Sequence, residues 1–326
     1  MSDQKTGRPA LAIHGGCGVM AKLGLTEEEW AAARADLAAA LQAGWAVLSA
    51  GGPALDAVEA AIVVMEDSPQ FNAGHGAALN AAGEHELDAS IMRGADRAAG
   101  SVTLVRRIRN PIRAARAVLE SGGPVMLGGS AADDFAAAAG LDMVEPSYFT
   151  TERRVKALAS LKARTADGTI RAASEAEKHG TVGAVALDSA GHLAAGTSTG
   201  GYNNKPVGRI GDSPIIGAGT YARDGVCAVS CTGAGEYFIR HAAGHEIASR
   251  MAYLGEDVTE AAARVVAELT PHGIGAGLVA IDSAGTITAP FNTDGMFRGW
   301  VTADGEMTVA THHQAVAWTD PFDAGK

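Results

Sequence analysis

Short apolar runs alternate along this chain with longer stretches of helical periodicity, and their order already implies an architecture. The first run, residues 10–13 (Ala-Leu-Ala-Ile), ends at His14-Gly15-Gly16-Cys17-Gly18 and predicts a buried strand feeding a glycine turn. Thr26 followed by Glu29 is a capping-box pattern, so a helix is expected from Thr26 to about residue 50. Gly51-Gly52-Pro53 punctuates, and Pro53 opens a second helix to about residue 67, with Leu55, Val58, Ala61, Ile62 and Met65 on its apolar face. Residues 68–83 read as a loop. Strands are expected at 86–92 and 101–105, and helices at 111–120 and 131–139.

Residues 156–180 change character. Lys, Arg, Glu, Ala, Ser and Thr dominate, and the stretch reads either as a surface helix and loop or as a mobile linker between two halves, 1–180 and 181–326. From Thr181 the pattern turns to β, with short runs at 182–187, 193–198, 214–217 and 226–230. Helices at 235–253 and 258–269 follow, then strands at 277–281 and 286–290 and a hairpin around Asp304-Gly305. Residues 184–191 (Ala-Val-Ala-Leu-Asp-Ser-Ala-Gly) are echoed by 278–285 (Leu-Val-Ala-Ile-Asp-Ser-Ala-Gly), which suggests two similar hairpins of one sheet system. Strands, paired helices, strands and paired helices again give an α+β class with largely antiparallel sheets.

Composition narrows the function. Of 326 residues, 47% are hydrophobic and 19% charged, which is a globular composition. Only 5% are aromatic while 42 are glycine, so tight turns and close backbone approach are expected. A formal charge of −11 lacks the basic footprint of a nucleic-acid binder. The apolar runs are broken well short of the ~18–20 residues that span a bilayer. Residues 1–5 carry charge with no apolar core behind them, so a cytoplasmic protein is expected. Cys17, Cys227 and Cys231 are an odd, sparse set. On one strand the last two would lie about 13 Å apart, too far for a disulfide, and all three read as buried thiols.

Most familiar catalytic motifs are absent: there is no phosphate-binding P-loop, no Gly-x-Ser-x-Gly elbow and no dinucleotide fingerprint. His241 and His245 have helix spacing, but Ala242 stands where a zinc protease needs Glu, and His312-His313 has no acidic partner at ligand spacing. The Gly180-Thr181 junction is different, because a charged stretch ends there and a buried strand begins. A threonine hydroxyl can attack the preceding carbonyl, glycine leaves the approach open, and hydrolysis of the resulting ester frees Thr181 as a new N-terminus. Its α-amine, with a pKa of ~7.7–8.0, could then take the proton of its own hydroxyl. On composition alone the segment reads as a linker that happens to meet a strand at threonine.

Six ordered motifs decide between these readings. His14-Gly15-Gly16, Phe71-Asn72-Ala73-Gly74-x-Gly76, Glu86-Leu87-Asp88-Ala89, Thr197-Ser198-Thr199-Gly200-Gly201, Gly208-Arg209-Ile210-Gly211-Asp212-Ser213-Pro214 and Ser230-Cys231-Thr232-Gly233-x-Gly235-Glu236 occur in that order. Together with the Gly180-Thr181 junction, this chain resembles the plant-type L-asparaginases/isoaspartyl peptidases, threonine N-terminal nucleophile hydrolases, from about residue 9 to residue 318.

The resemblance implies a four-layer αββα sandwich, cleavage between Gly180 and Thr181, and a homodimer of cleaved αβ units. It implies hydrolysis of β-aspartyl dipeptides and L-asparagine through an ester on Thr181, with no organic cofactor. Thr199 would contact the nucleophile, Thr232 and Gly233 would form the oxyanion hole, and Asn72 would order the site from the first half. Arg209 and Asp212 would take the α-carboxylate and α-amino group of the aspartyl moiety, with Gly233 and Gly235 lining the pocket; guanidinium and carboxylate suit those charges. Backbone carbonyls of Met65, Glu66, Ser68, Phe71, Ala73 and His75 would wrap a structural sodium ion, a hard cation that prefers oxygen. Two relatives remain as alternatives: a glycosylasparaginase, which would normally carry a secretory signal and disulfides, and an uncleaved, noncatalytic amino-acid-binding protein.

Overall fold

The structure, a computed structural model, describes residues 8–18, 25–166, 180–312 and 315–317. The capping box at Thr26 forms as the sequence suggests: Glu29 N donates to Thr26 Oγ1 at 3.2 Å, and Thr26 N donates to Glu29 Oε2 at 2.8 Å. In chain order the first elements are β1 (Ala10–Gly18), α1 (Glu27–Ser49), α2 (Ala54–Asp67), β2 (Leu87–Arg93) and β3 (Ala99–Val105). Next come α3 (Pro111–Ser121), β4 (Met126–Gly128), α4 (Gly129–Ala138) and α5 (Glu152–Ala166). After the Gly180-Thr181 junction follow β5 (Val182–Leu187), β6 (Leu193–Thr199), β7 (Thr220–Arg223), β8 (Cys227–Gly233), α6 (Gly235–His241) and α7 (Ala243–Ser249). The chain continues with α8 (Val258–Leu269), β9 (Ala276–Asp282), β10 (Ile287–Thr288), β11 (Gly295–Val301), β12 (Met307–Ala310) and β13 (Ala315–Ala317).

Two sheets result, nine strands in the order β13-β12-β11-β1-β5-β6-β2-β3-β4 and four in the order β10-β9-β8-β7. Pairing is antiparallel except between β3 and β4. The period-2 alternation explains how β5 can be apolar along its whole length. Val182, Ala184 and Ala186 join a cluster with Leu11, Ile13, Leu41, Val58 and Ile62, whereas Val185 and Leu187 join a second one with Cys227, Val229, Leu278 and Val265. The mixed α+β class therefore holds. Among the described residues no helix is long and apolar enough to cross a membrane.

Several expectations need correction. Residues 214–217 are turns rather than a strand: Pro214 offers no N–H, and Ile215 N and Gly219 N both fold back onto Asp212 O, at 2.9 and 3.2 Å. The helix expected over 235–253 is broken at Ala242, which adopts φ 46° and ψ 47°, and ends in a π-turn over Arg250–Leu254. Of the two readings of residues 156–180, the surface helix holds through residue 166, within α5; residues 167–179 lie outside the described residues. The two echoed hairpins sit in different sheets. They share one turn chemistry, since Asp188 Oδ1 caps Ala190 N and His192 N while Asp282 Oδ1 caps Ala284 N and Thr286 N. All three cysteines are free and buried, as expected.

Candidate active site

Thr181 enters β5 at the seam between the two sheets and is almost wholly buried. Its hydroxyl donates to Thr199 Oγ1 at 3.2 Å, and Thr199, the last residue of β6, donates in turn to Gly180 O at 3.1 Å. Two donors converge on that carbonyl, because Asn72 Nδ2 also donates to Gly180 O at 2.7 Å. Asn72 is locked by its remaining bonds, to Gly201 O at 2.6 Å and from Ala78 N at 2.7 Å. The carbonyl before the threonine is thus polarised by two directed donors, one of which, Thr199, also holds the Thr181 hydroxyl, the arrangement an acyl shift needs. Glycine at 180 is a steric requirement, since a Cβ there would lie 2.7 Å from Asn72 Cβ. Gly16, at φ +104°, is hemmed in by the same junction, since a Cβ at 16 would stand 2.9 Å from Gly180 Cα.

An open pocket of about 250 Å³ faces Thr181, and Thr199, Arg209, Asp212, Ser213 and Gly233 contribute to its wall. Asp212 is buried and its Oδ2 has no hydrogen-bond partner. Burial pushes its carboxyl up to about 7, with Arg209 opposing the shift. A buried carboxylate oxygen without a partner carries a desolvation cost that a cation beside it would relieve.

Arg209 and Asp212 are not an ion pair. The Arg209 fork donates to Glu236 instead, Nε to Oε1 at 2.9 Å and Nη2 to Oε2 at 3.0 Å, and its guanidinium lies 4.7 Å from the centre of the Tyr202 ring. That contact engages one edge of the guanidinium. Gly235 packs against both side chains; a Cβ there would sit 2.8 Å from Asp212 Oδ1 and 2.9 Å from Arg209 Nη2. Thr232 is fully buried near the end of β8, and its Oγ1 likewise has no partner. Gly233 admits no side chain, since a Cβ would meet Gly275 O at 2.5 Å.

Sequence reasoning missed the part played by Glu236, which stood inside a quoted motif but 27 residues from its arginine. Tyr202, Gly201 and Ser213 were also unassigned. His241 and His245, set aside from the sequence, fall on opposite sides of the break at Ala242, and His245 packs edge-on against the Tyr221 ring at 5.5 Å. Among the described residues no cluster of three or more His, Cys, Asp or Glu could hold a metal ion.

A protein family described as asparaginase matches residues 7–311. The chain belongs to this asparaginase family. It is 45% identical to an isoaspartyl peptidase of Escherichia coli K12 over 90% of this chain and 93% of that one. It is 39% identical to a probable isoaspartyl peptidase/L-asparaginase 2 of Arabidopsis thaliana, covering 92% and 98%. An isoaspartyl peptidase/L-asparaginase of Xenopus laevis is 39% identical over 94% and 96%. Asp212 Oδ2 and Thr232 Oγ1 are two of eight buried side-chain atoms without a hydrogen-bond partner among the described residues, and Asp212 lines the pocket that Thr181 faces.

Proposed function

We propose that this chain is a self-cleaving isoaspartyl peptidase and L-asparaginase, with Thr181 as nucleophile. The carrying observation is the Gly180–Thr181 junction, where Thr199 and Asn72 both donate to the Gly180 carbonyl while Thr199 accepts from the Thr181 hydroxyl. Attack of Thr181 Oγ1 on that carbonyl, C–N cleavage and hydrolysis of the ester give fragments 1–180 and 181–326. The freed amine then accepts the hydroxyl proton as the oxygen attacks the β-carbonyl of an aspartyl substrate. Thr232 Oγ1 and Gly233 N–H receive the oxyanion, ammonia or an amino acid leaves, and water releases L-aspartate from the Thr181 ester. Arg209 orients the substrate α-carboxylate and Asp212 its ammonium, as the unpaired Asp212 Oδ2 supports.

The same reading extends to the assembly. The two apolar clusters, one against α1 and α2 and one against α7 and α8, support an αββα sandwich. A homodimer of cleaved units is carried over from the resemblance, and the free thiols suit the cytoplasm. A structural sodium ion fits the loop after α2. Among the described residues no N–H or O–H donates to the carbonyls of Met65, Ser68, Phe71, Ala73 or His75, whereas Glu66 O accepts from His75 N at 2.7 Å. The ion would brace the loop that carries Asn72.

Intact mass of the purified protein, followed by turnover of β-Asp-Leu and L-asparagine, tests the proposal. Wild type should split at 180/181 and release aspartate, and Thr181→Ala should remain one inactive chain. A Thr181→Ala protein that still splits there would remove Thr181 from the reaction.

A further inference from the structure

Beneath Thr181 an imidazole and four hydroxyls form one buried chain between the two sheets. His14, on β1 opposite Gly183 of β5, places Nδ1 at 3.0 Å from Thr181 O and Nε2 at 2.9 Å from Ser230 Oγ on β8. Ser230 Oγ lies 2.7 Å from Thr197 Oγ1, Thr197 2.6 Å from Thr220 Oγ1, and Thr220 2.8 Å from Ser90 Oγ, which is 2.6 Å from Ser213 O. Every member is fully or almost fully buried. The chain therefore connects the residue after Asp212 to the backbone of the nucleophile.

The hydrogens in this chain have a direction. A carbonyl only accepts, so Nδ1 carries the hydrogen toward Thr181 O. Burial pulls the imidazole down to about 3 against the opposing bond to Thr181, so the ring is neutral and Nε2 accepts from the Ser230 hydroxyl. Ser230, its hydrogen spent, can only accept from Thr197, whose single hydroxyl hydrogen is shared between Ser230 Oγ at 2.7 Å and Gly219 O at 3.1 Å. The sequence makes room for the ring, since a Cβ at Gly183 would collide with both Ser230 Oγ and His14 Nε2.

We propose that His14 is a positioning residue for Thr181: its Nδ1–H holds the peptide plane that carries the nucleophile's Cα after scission has removed the covalent restraint on the other side. This rests on Thr181 being the nucleophile. Once Thr181 is a chain terminus, its placement depends on the bonds made by its own carbonyl and side chain. A misplacement of about 1 Å can cost on the order of a hundredfold in rate.

The test compares His14→Asn with His14→Gln, each as fully split protein. The Asn amide nitrogen overlays Nδ1 and keeps the donor to Thr181 O, whereas the Gln amide nitrogen overlays Nε2 and does not. Packing volume alone ranks them the other way, because Gln is nearer to His in size. Expected are a fall in kcat of about tenfold to a hundredfold for His14→Gln with little change in KM, and a clearly smaller fall for His14→Asn. The acid and base limbs of the pH profile should stay where they are in wild type. Gln performing as well as Asn, a loss confined to KM, or a displaced limb would each overturn the proposal. If neither variant folds, Ser230→Ala removes the donor that keeps Nε2 an acceptor and the hydrogen on Nδ1, so the hold on Thr181 O loosens and kcat should drop; an unchanged kcat overturns the idea. Thr181→Ala is assayed alongside. Activity in that variant defeats the nucleophile reading, whereas an inactive Thr181→Ala beside a wild-type-like His14→Gln defeats the positioning role alone.

Discussion

Asp212→Asn should make the empty enzyme more stable and a worse catalyst. The carboxyl has an ordinary value of 3.8 and is pushed up to about 7 in the folded protein, chiefly by burial. Below pH 3.8 both folded and unfolded chains hold the proton and the group contributes nothing to stability. Between that value and about 7 the unfolded state has released its proton while the folded state keeps it, so stability falls as pH rises; above about 7 the full penalty is present. The separation of the two values corresponds to about 4 kcal/mol. Asn removes that cost and should raise the melting temperature by several degrees near pH 8.5, with little gain near pH 4.5. The same change should lower kcat/KM by roughly tenfold to a hundredfold, the worth of a charge-assisted hydrogen bond of about 1.5–3 kcal/mol. Scanning calorimetry of matched, fully split proteins at both pH values measures the first effect. Repeating it with saturating L-aspartate probes the cause, because the ligand's ammonium should stabilise wild type more than the variant. A stability gap of equal size at both pH values would refute the reasoning.

The remaining predictions concern neighbouring groups. Thr232→Val in the fully split fraction should lower kcat by about 10²–10³ through loss of one oxyanion donor, and turnover of β-Asp-Leu at the wild-type rate would make Thr232 structural. Arg209→Lys cannot reproduce the fork held by Glu236, so kcat/KM should fall by about 1.5–3 kcal/mol equivalent, read from initial rates with β-aspartyl substrates. Replacing sodium by tetramethylammonium in the buffer should lower the melting temperature of wild type, and an unchanged melting curve would count against an ion in the loop after α2. Gly74→Ala should slow self-cleavage, visible as retained full-length chain on a denaturing gel, because Gly74 has φ +49° and its Cβ would strike Glu66 O.

The sequence made the site more legible than the fold around it, and the reason is locality. Thr199-Gly200-Gly201 and Gly208–Asp212 are short runs that carry the family resemblance within a few positions, although read alone they would be a strand threonine and a surface Arg–Asp pair. Strand and helix positions followed from periodicity, including the buried β5 and the capping box at Thr26. What failed depends on partners distant in sequence. Pro214–Gly217 is apolar enough for a strand, yet Asp212 O gathers it into turns. Ala242 adopts a left-handed conformation that no local signal in an Ala-Ala-Gly run announces. Three-residue β4 forms only because β3 presents a free edge. The Glu236 partner of Arg209 and the Ser230 partner of His14, the latter 216 residues away, are set by tertiary packing alone.

The strand order of the large sheet has a topological consequence. Reading across it, β13, β12 and β11 come from beyond residue 181, β1 from before it, β5 and β6 from beyond it, and β2, β3 and β4 from before it. A break between 180 and 181 therefore divides the chain into two pieces interleaved at three ladders, β11–β1, β1–β5 and β6–β2. Neither piece can assemble that sheet alone, since each would leave bare ladder edges where the other belongs. Such a cut would convert one polypeptide into an obligate pair without moving a strand, and the parts could be neither shed nor exchanged short of unfolding. A gene reordered to begin at residue 181, with the old ends bridged, should encode the same sheet already opened at its active terminus.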